Sequence, residues 1–388
     1  MANATRVALL IEPTNSHNQG ILSGVKEYIL KQRPNWIFHG IGGDVQLLKD
    51  WQADAAIVQA TTAALEEELL SWGGPCVNVA AWLEKQVLPS VQIDSYSIGQ
   101  MAAKYFLSQG FRHFAFAGYP QVYYARQRLK GFRDVLQQNG LTSTSLTEDR
   151  PPPSDPLTMN WVAKEKWMGS WLLAQPRPFA LFAQTDMTAW ELAEVCRLHG
   201  LRIPTETALL GVDNETYCEL AIPTLSSIEN NKKMLGYQAA AMLDAWLQGR
   251  RPSSEPVLVP PVGLVNREST DALAMEDAEL AKAIRYIHKH FAQPVGVDEL
   301  AKHASVSRRS LERKFQSTLG RSPREEIQRV RLERAKALLA QTTLGTAPIA
   351  QQTGFSNPQR LSNVFKSVTG MTPMEYRQKF QTHARTSS

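Results

Sequence analysis

The last quarter of the chain says the same thing twice. Leu311, Phe315, Gly320 and Pro323 recur fifty positions later as Leu361, Phe365, Gly370 and Pro373. Leu300-Ala301 and Ser305-Val306-Ser307 precede the first set; Ile349-Ala350 and Gly354-Phe355-Ser356-Asn357 precede the second. Each copy reads as a short helix, a tight turn and a second amphipathic helix, which is the helix-turn-helix pattern in tandem. Between the copies, Arg324 to Ala340 carries Ile327, Val330, Ala335, Leu338 and Leu339 at helical spacing. One continuous helix there would hold the two units at a fixed separation. Such a pair makes double-stranded DNA the first partner to consider.

Charge follows the repeat. Of the 388 residues, those from Glu276 onward hold 19 Lys and Arg against 10 Asp and Glu, and the rest holds 23 against 27. A basic tail behind a neutral-to-acidic front implies one part that meets a polyanion and one that does not. The length suggests two or three domains. Cys76, Cys196 and Cys218 are odd in number and show no paired spacing, so reduced thiols are expected rather than a disulfide framework or a zinc site. The first apolar run, Val7 to Ile11, is too short for a signal peptide or a membrane span. It reads as a buried strand, and a cytoplasmic protein is expected. Gly-x-Ser-x-Gly, a phosphate-cradling glycine loop and His/Cys metal spacing are all missing from the sequence. Neither an enzyme nor a bound cofactor or metal is expected.

The front alternates strand-like and helix-like segments. Strand candidates are Arg6–Glu12, Ala55–Val58, Cys76–Val79, Val91–Ile93, His113–Ala117, Phe179–Ala183, Ala208–Val212 and Leu225–Ile228. Helical patterns lie between them, which implies parallel sheets with covering helices, in number enough for two α/β lobes. Gly118 and Pro120 mark a place for the chain to pass between lobes, and Pro151 to Pro156 a surface loop. Pro252 to Pro261 ends the α/β part. The expected organisation is a two-lobed doubly wound domain over 1–270, a linker over 271–276, and an all-helical domain over 277–388.

In open α/β sheets, ligands bind beyond the carboxyl ends of strands. The polar residues there are Glu12, Asn15, His17, Asp94, Arg126, Arg128, Thr185, Asp186, Asp213 and Asn214. Carboxylates and guanidinium groups converging on a cleft suit a polyhydroxylated ligand, with Trp82, Tyr119, Tyr123, Tyr124 and Trp190 available to stack on it. Plainer roles compete: Asp94 and Asp213 as helix N-caps, Arg126 as a surface arginine, His17 as a loop residue.

The run Ala115-Phe116-Ala117-Gly118 with Ala125-Arg126-Gln127-Arg128 resembles the crossover of LacI/GalR-type effector domains. So do Leu210 to Asn214, Ile222 to Ile228 and Val259 to Thr270. The resemblance covers roughly residues 5–270 and implies the periplasmic sugar-binding fold. It also implies that Asp94, Arg128, Thr185 and Asp213 touch a sugar, with Thr185 where Asn is common.

In the tail, Ser307 and Asn357 are N-cap candidates and Pro358 takes the first helical position. The outward positions are Arg308, Arg309, Glu312 and Arg313 in the first copy, and Gln359, Arg360, Ser362 and Asn363 in the second. Arg reads guanine, Glu accepts from cytosine, Gln and Asn suit adenine. This arrangement, with the paired Gly and Pro endings, resembles the AraC/XylS family over about 277–380. The resemblance implies base reading at Arg309, Glu312 and Arg313 and at their counterparts Gln359, Ser362 and Asn363. Pro358 and Ser362 depart from the longer readers common there, which implies a second unit that positions more than it specifies.

Together the two parts resemble bacterial xylose-responsive regulators. That implies a transcription activator taking D-xylose between its lobes and DNA on its tail, as a homodimer, with RNA polymerase a further partner. Two alternatives stay open: another sugar or small-molecule effector, or a sugar-binding transport protein, for which the basic tail has no use.

Overall fold

A computed structural model describes residues 4–40, 44–156, 158–271, 277–342 and 344–380. All but the first residue of the expected linker lies outside them. The chain runs β1 (Arg6–Leu10), α1 (Ser16–Gln32), β2 (Ile37–Gly40), α2 (Gln46–Asp50), β3 (Ala55–Val58), α3 (Ala63–Trp72), β4 (Cys76–Asn78) and β5 (Val91–Ile93). It continues through α4 (Ser95–Ser108), β6 (Phe114–Ala117), α5 (Tyr123–Gln138), β7 (Thr144–Ser145), α6 (Leu146–Asp149), α7 (Trp161–Leu173), β8 (Phe179–Ala183), α8 (Asp186–Leu198), β9 (Thr207–Val212) and β10 (Ser226–Glu229). Then come α9 (Lys232–Leu247), β11 (Val257–Val259) and β12 (Gly263–Val265).

Two sheets result. The first has the order β2-β1-β3-β4, extended by a bridge from Asn78 to Ser90 that brings in β5 and its partner β11. The second has the order β12-β10-β9-β8-β6-β7 and is parallel except at β12. Ala55–Val58 and Phe179–Ala183 are buried along their whole length, as parallel strands covered on both faces must be. Helices α2 and α3 cover one face of the first sheet and α7 and α8 one face of the second. The remaining faces, under α1 and α9 and under α4 and α5, share one continuous core.

The chain does not change lobes at Gly118 and Pro120. It crosses at Ile93–Asp94, because α4 packs along α5 of the second lobe. The contact needs glycine: a Cβ on Gly99 would stand 2.0 Å from the Arg128 carbonyl oxygen, and one on Gly131 2.1 Å from that of Tyr96. A second crossing, at Asn230–Asn231, returns the chain to the first lobe through α9, which packs along α1. A third lies between β11 and β12. The α/β part therefore runs past Pro261, because β12 adds an antiparallel edge to the second sheet.

The tail is α10 (Ala278–His290), α11 (Val297–His303), α12 (Arg308–Leu319), α13 (Pro323–Gln341), α14 (Thr346–Gln352), α15 (Pro358–Thr369) and α16 (Pro373–Phe380). It holds two small cores. Leu311 and Phe315 are fully buried in one, Leu361 and Phe365 in the other. The single helix α13 feeds both, through Ile327 to the first and Leu332, Ala335 and Leu339 to the second. Ser307 and Asn357 cap α12 and α15, the second helix of each unit, by accepting from Ser310 N (3.2 Å) and Arg360 N (2.7 Å). Gly320 (φ 65°) and Gly370 (φ 73°) end them in the left-handed region. The repeat reaches further than its apolar residues: Ser322 with Glu325 and Thr372 with Glu375 form matching capping boxes. Arg331 donates to the carbonyls of Phe291 (2.8 Å) and Gln293 (2.6 Å), tying α13 to the end of α10.

The tail rests on the second lobe. Helix α13 packs against β12, and Arg329 stands near enough to Tyr105 of α4 to interact with it electrostatically. The Tyr105 hydroxyl donates to Asn266 Oδ1 at 2.6 Å and meets Thr270 Oγ1 at 2.9 Å. Among the described residues no helix is long and apolar enough to cross a membrane, and the three cysteines are buried and unpaired.

Candidate effector cleft and nucleic-acid interface

The lobes meet over a polar cluster at the chain crossings. Arg128, on α5, is 4% exposed. Its Nη1 donates to the Gln184 carbonyl, its Nη2 stands 3.7 Å from Asp213 Oδ1, and its guanidinium lies 4.7 Å from the centre of the Tyr124 ring. Asp213 follows β9 in a left-handed conformation (φ 107°). It accepts from Asn230 Nδ2 at 2.5 Å, and its carbonyl accepts from Lys232 Nζ at 2.9 Å. Burial pushes the Asp213 carboxyl up to about 6, against the opposing pull of Arg128 and Lys232.

The first lobe contributes Ser16 and His17. Glu215 accepts from Ser16 N (3.2 Å) and Ser16 Oγ (2.5 Å), and stands 3.6 Å from Lys232 Nζ. His17 Nδ1 is 3.2 Å from Asn230 Nδ2, and burial with nearby Lys232 pushes its imidazole down to about 4, so it is neutral at pH 7. Among the described residues, three buried atoms of this cluster have no hydrogen-bond partner: Arg128 Nε, Asn230 Oδ1 and Glu215 Oε1. Buried polar groups are rarely left so. A ligand rich in hydroxyls carries both the donors and the acceptors they require.

Other strand-end residues have different positions. Asp94 sits at the first crossing, where its Oδ1 and Oδ2 accept from Ser97 N (2.9 Å) and Ser97 Oγ (2.5 Å), capping α4. Thr185 caps α8 through Thr188 N (3.3 Å), and Asn15 caps α1 through Asn18 N (2.8 Å). Asp186 is fully buried beneath the cluster, and its Oδ2 accepts from Glu215 N at 2.8 Å. Burial and nearby Asp213 raise its carboxyl to about 7. Gly211 makes room for it, since a Cβ there would stand 2.1 Å from Asp186 Oδ1. Asp186 thus braces the loop that carries Asp213 and Glu215.

Arg126 turns away from the cluster and bridges the lobes, with Nη2 donating to Glu84 Oε2 at 3.0 Å and Nη1 to the Pro120 carbonyl. Beside it, the free first-turn amides of Tyr123 and Tyr124 donate to the first-lobe carbonyls of Trp82 (2.9 Å) and Ala81 (3.0 Å). Glu12 is exposed. Trp82 lies against Tyr124 and Trp190 against Tyr217.

Four cluster members escaped the sequence reading: Ser16, Glu215, Asn230 and Lys232. For Asn230 the signal was present, since it directly follows β10 as Asp213 follows β9. Lys232 and Glu215 are set together only by the second crossing.

On the tail, Arg308, Arg309, Glu312, Arg313, Gln359, Arg360 and Asn363 are all exposed, and Ser362 is half-buried. Arg308 is held by Asp298 (3.2 Å) and by Glu312 (3.0 Å), and Gln359 donates to Asn363 Oδ1 at 3.0 Å. Arg309, Arg313 and Arg360 have no side-chain partner among the described residues.

Comparison with known proteins agrees with both halves. A family described as "Periplasmic binding protein-like domain" matches residues 103–270, and one described as "Helix-turn-helix domain" matches 300–379. The "Xylose operon regulatory protein" of Escherichia coli (strain K12) is 27% identical over 383 residues, covering 96% of each chain. The solved "structure of xylose-binding transcription activator xylR" is 26% identical, with a TM-score of 0.60, covering 97% of this chain and 98% of that one. Over the tail alone, a "Putative AraC-like transcription regulator" of Streptomyces antibioticus is 36% identical over 103 residues, 26% of this chain and 34% of that one. The relatives matched over the whole length are transcription regulators, not enzymes. The chain is similar to them over its whole length and has the same two parts: it is a DNA-binding transcription regulator in which a periplasmic-binding-protein-like sugar-binding domain precedes an AraC-type helix-turn-helix domain.

Proposed function

We propose that the effector is D-xylose, held between the two lobes, and that its binding re-presents the tails of a homodimer to DNA and to RNA polymerase so as to activate transcription in the cytoplasm. The observation that carries this reading is the polar cluster drawn from both lobes, with buried bonding capacity left over. In it, Asp213 and Arg128 bond adjacent hydroxyls, with charge assistance from each side. His17, Asn230 and Lys232 supply further contacts, and Tyr124 with Trp82 forms an apolar wall. Asp94 and Thr185 shape the rim as helix caps, Asp186 supports the floor, and Arg126 closes one lobe on the other. Residues 1–270 act as the sensing unit and 277–388 as the DNA-binding unit. The similarity to whole-length relatives named for the xylose operon favours a pentose over a hexose.

A thermal-shift screen of the full chain tests the effector. At about a hundred times its dissociation constant a bound sugar adds about 2.7 kcal/mol of stability, so D-xylose raises Tm where glucose does not. Equal shifts from both sugars contradict the assignment.

Acidity follows from Asp213. Its ionised form is the one that accepts from hydroxyls, and its carboxyl titrates near about 6. Sugar affinity is expected to fall as pH drops through 6, by up to about tenfold per pH unit. The unliganded fold shows the opposite sign. A carboxyl raised above its unfolded value of about 3.9 loses stability as pH rises from there through its folded value. Calorimetry of sugar binding from pH 5 to 8 checks this, and a flat affinity contradicts it.

A further inference from the structure

Between the two helix-turn-helix units lies a groove floored by α13. Arg324, Gln328 and Arg331 line it from α13, Gln351 and Ser356 from the second unit, and Arg360 from the first turn of α15. Its lining contains three arginines and no acidic side chain. The acids that adjoin it are bonded: Glu299 accepts from the lining Gly296 N and from the Tyr286 hydroxyl. Glu325 is bonded to Ser322, Glu326 to Arg321 and Arg329, and Asp298 to Arg308. Arg331 uses its donors on backbone carbonyls of the α10–α11 connection, but its charge remains in the groove. Arg324 and Arg360 are exposed and have no side-chain partner among the described residues. Among the lining residues the three guanidinium charges are therefore not matched by any carboxylate.

We propose that this groove is a phosphate site, which holds the DNA backbone where the duplex passes from one reading helix to the other. The proposal rests on the DNA-binding role of the tail. Arg324 and Arg331 are two helical turns apart, about 10 Å along α13. That span accommodates more than one phosphate of a strand whose charges recur about every 3.4 Å along the axis. A continuous polyanion fills such an open trough better than a single small anion does. Arg360 then differs in role from its neighbours Gln359 and Asn363: it fixes register on the duplex and carries no base preference of its own. Gln328, Gln351 and Ser356 supply neutral donors along the same path.

The test uses the full-length chain with Arg324→Gln and Arg360→Gln, which keep helix propensity and remove charge at exposed positions. Affinity is measured for a random-sequence duplex pool and for a sequence selected from it, between about 50 and 200 mM salt. Each variant is expected to flatten the slope of log K against log salt by about 0.9, so the affinity lost over that range shrinks by about 3.5-fold, equally for both DNAs. Thermal melts of the variants matching the parent show that the change is not one of folding. An unchanged slope overturns the proposal. So does an altered base preference at constant slope, which makes Arg360 a base reader. If the parent chain itself shows no salt-dependent duplex binding, the DNA-binding role fails first. A sloped parent with equally sloped variants sinks the groove alone.

Discussion

Replacing Arg128 with alanine is expected to abolish the sugar response and to leave DNA binding by the tail intact. The guanidinium is nearly buried and faces Asp213, which is itself largely enclosed. Removing it takes away the donor fork that a sugar hydroxyl pair would meet. It also removes one of the two cations, Arg128 and Lys232, that oppose the burial of the Asp213 carboxylate, so the carboxyl is pushed further up. The sensing domain is therefore expected to melt earlier as well as to lose its ligand. Asp213→Asn separates the two effects. It keeps the shape, removes the charge that burial opposes, and is expected to cost less stability while still losing the sugar. Calorimetry decides: sugar affinity at the parent level in both variants contradicts the assignment of the cleft. The tail has its own cores, fed by α13 and bounded by capped helices. Its affinity for DNA without sugar is expected to survive in both.

Arg309→Ala and Arg313→Ala are each expected to cost about 1–3 kcal/mol of discrimination between the preferred duplex and one altered at a single base pair. Both arginines are exposed on the first turns of α12 and have no side-chain partner among the described residues, so their donors are available to base edges. Glu312 and Arg308 are already bonded to each other and must part before reading anything. In the second unit Gln359 and Asn363 are likewise mutually bonded and shorter. Alanine at either is expected to change discrimination less, in line with a second unit that mainly positions the duplex. Selection of preferred sequences by each variant checks this ordering, and equal losses on preferred and random DNA would contradict base reading by Arg309 and Arg313.

Much of this was legible because the physics was local. Ala55–Val58 and Phe179–Ala183 are apolar runs buried along their whole length, and the structure gives the strands those same limits. Ser307, Asn357 and Pro358 announced the starts of the reading helices through short-range capping chemistry. The edges were harder. Ile37–Gly40 is exposed along its length and has no buried face to impose a pattern. Gly263–Val265 follows a proline-rich stretch that reads as a terminus, yet pairs with β10. The lobe crossing was misplaced for a related reason. Gly118 and Pro120 look like punctuation, but the crossing is fixed by which helices lie together, and Gly99 and Gly131 decide that across more than thirty residues of chain.

The cleft was half legible on the same principle. Asp213 and Arg128 stand at strand and helix ends where a rule for open sheets points. Lys232 lies beyond the second crossing, and only the packing of α9 on α1 brings it to Glu215 and Ser16. Asp94 and Thr185 show the limit of the rule, because a side chain at a strand end is also at a helix start and serves as its cap.

The coupling between cleft and tail has a physical route. Helix α4 starts at the first crossing, and Tyr105 near its far end meets the segment that carries β12 and faces Arg329 on α13. The tail thus rests on the second lobe, and a change in the angle between lobes carries it along. A sugar shifts DNA affinity only to the extent that it binds the DNA-competent arrangement better, and DNA must raise sugar affinity by the same factor. The direct measurement is the affinity of the full-length chain for its preferred duplex with and without saturating D-xylose, at one salt concentration. Tighter binding with sugar in the parent, by about 5–150-fold, and no change in Arg128→Ala is the expected result. Identical DNA affinity with and without a sugar that demonstrably raises Tm would contradict a sugar-switched regulator.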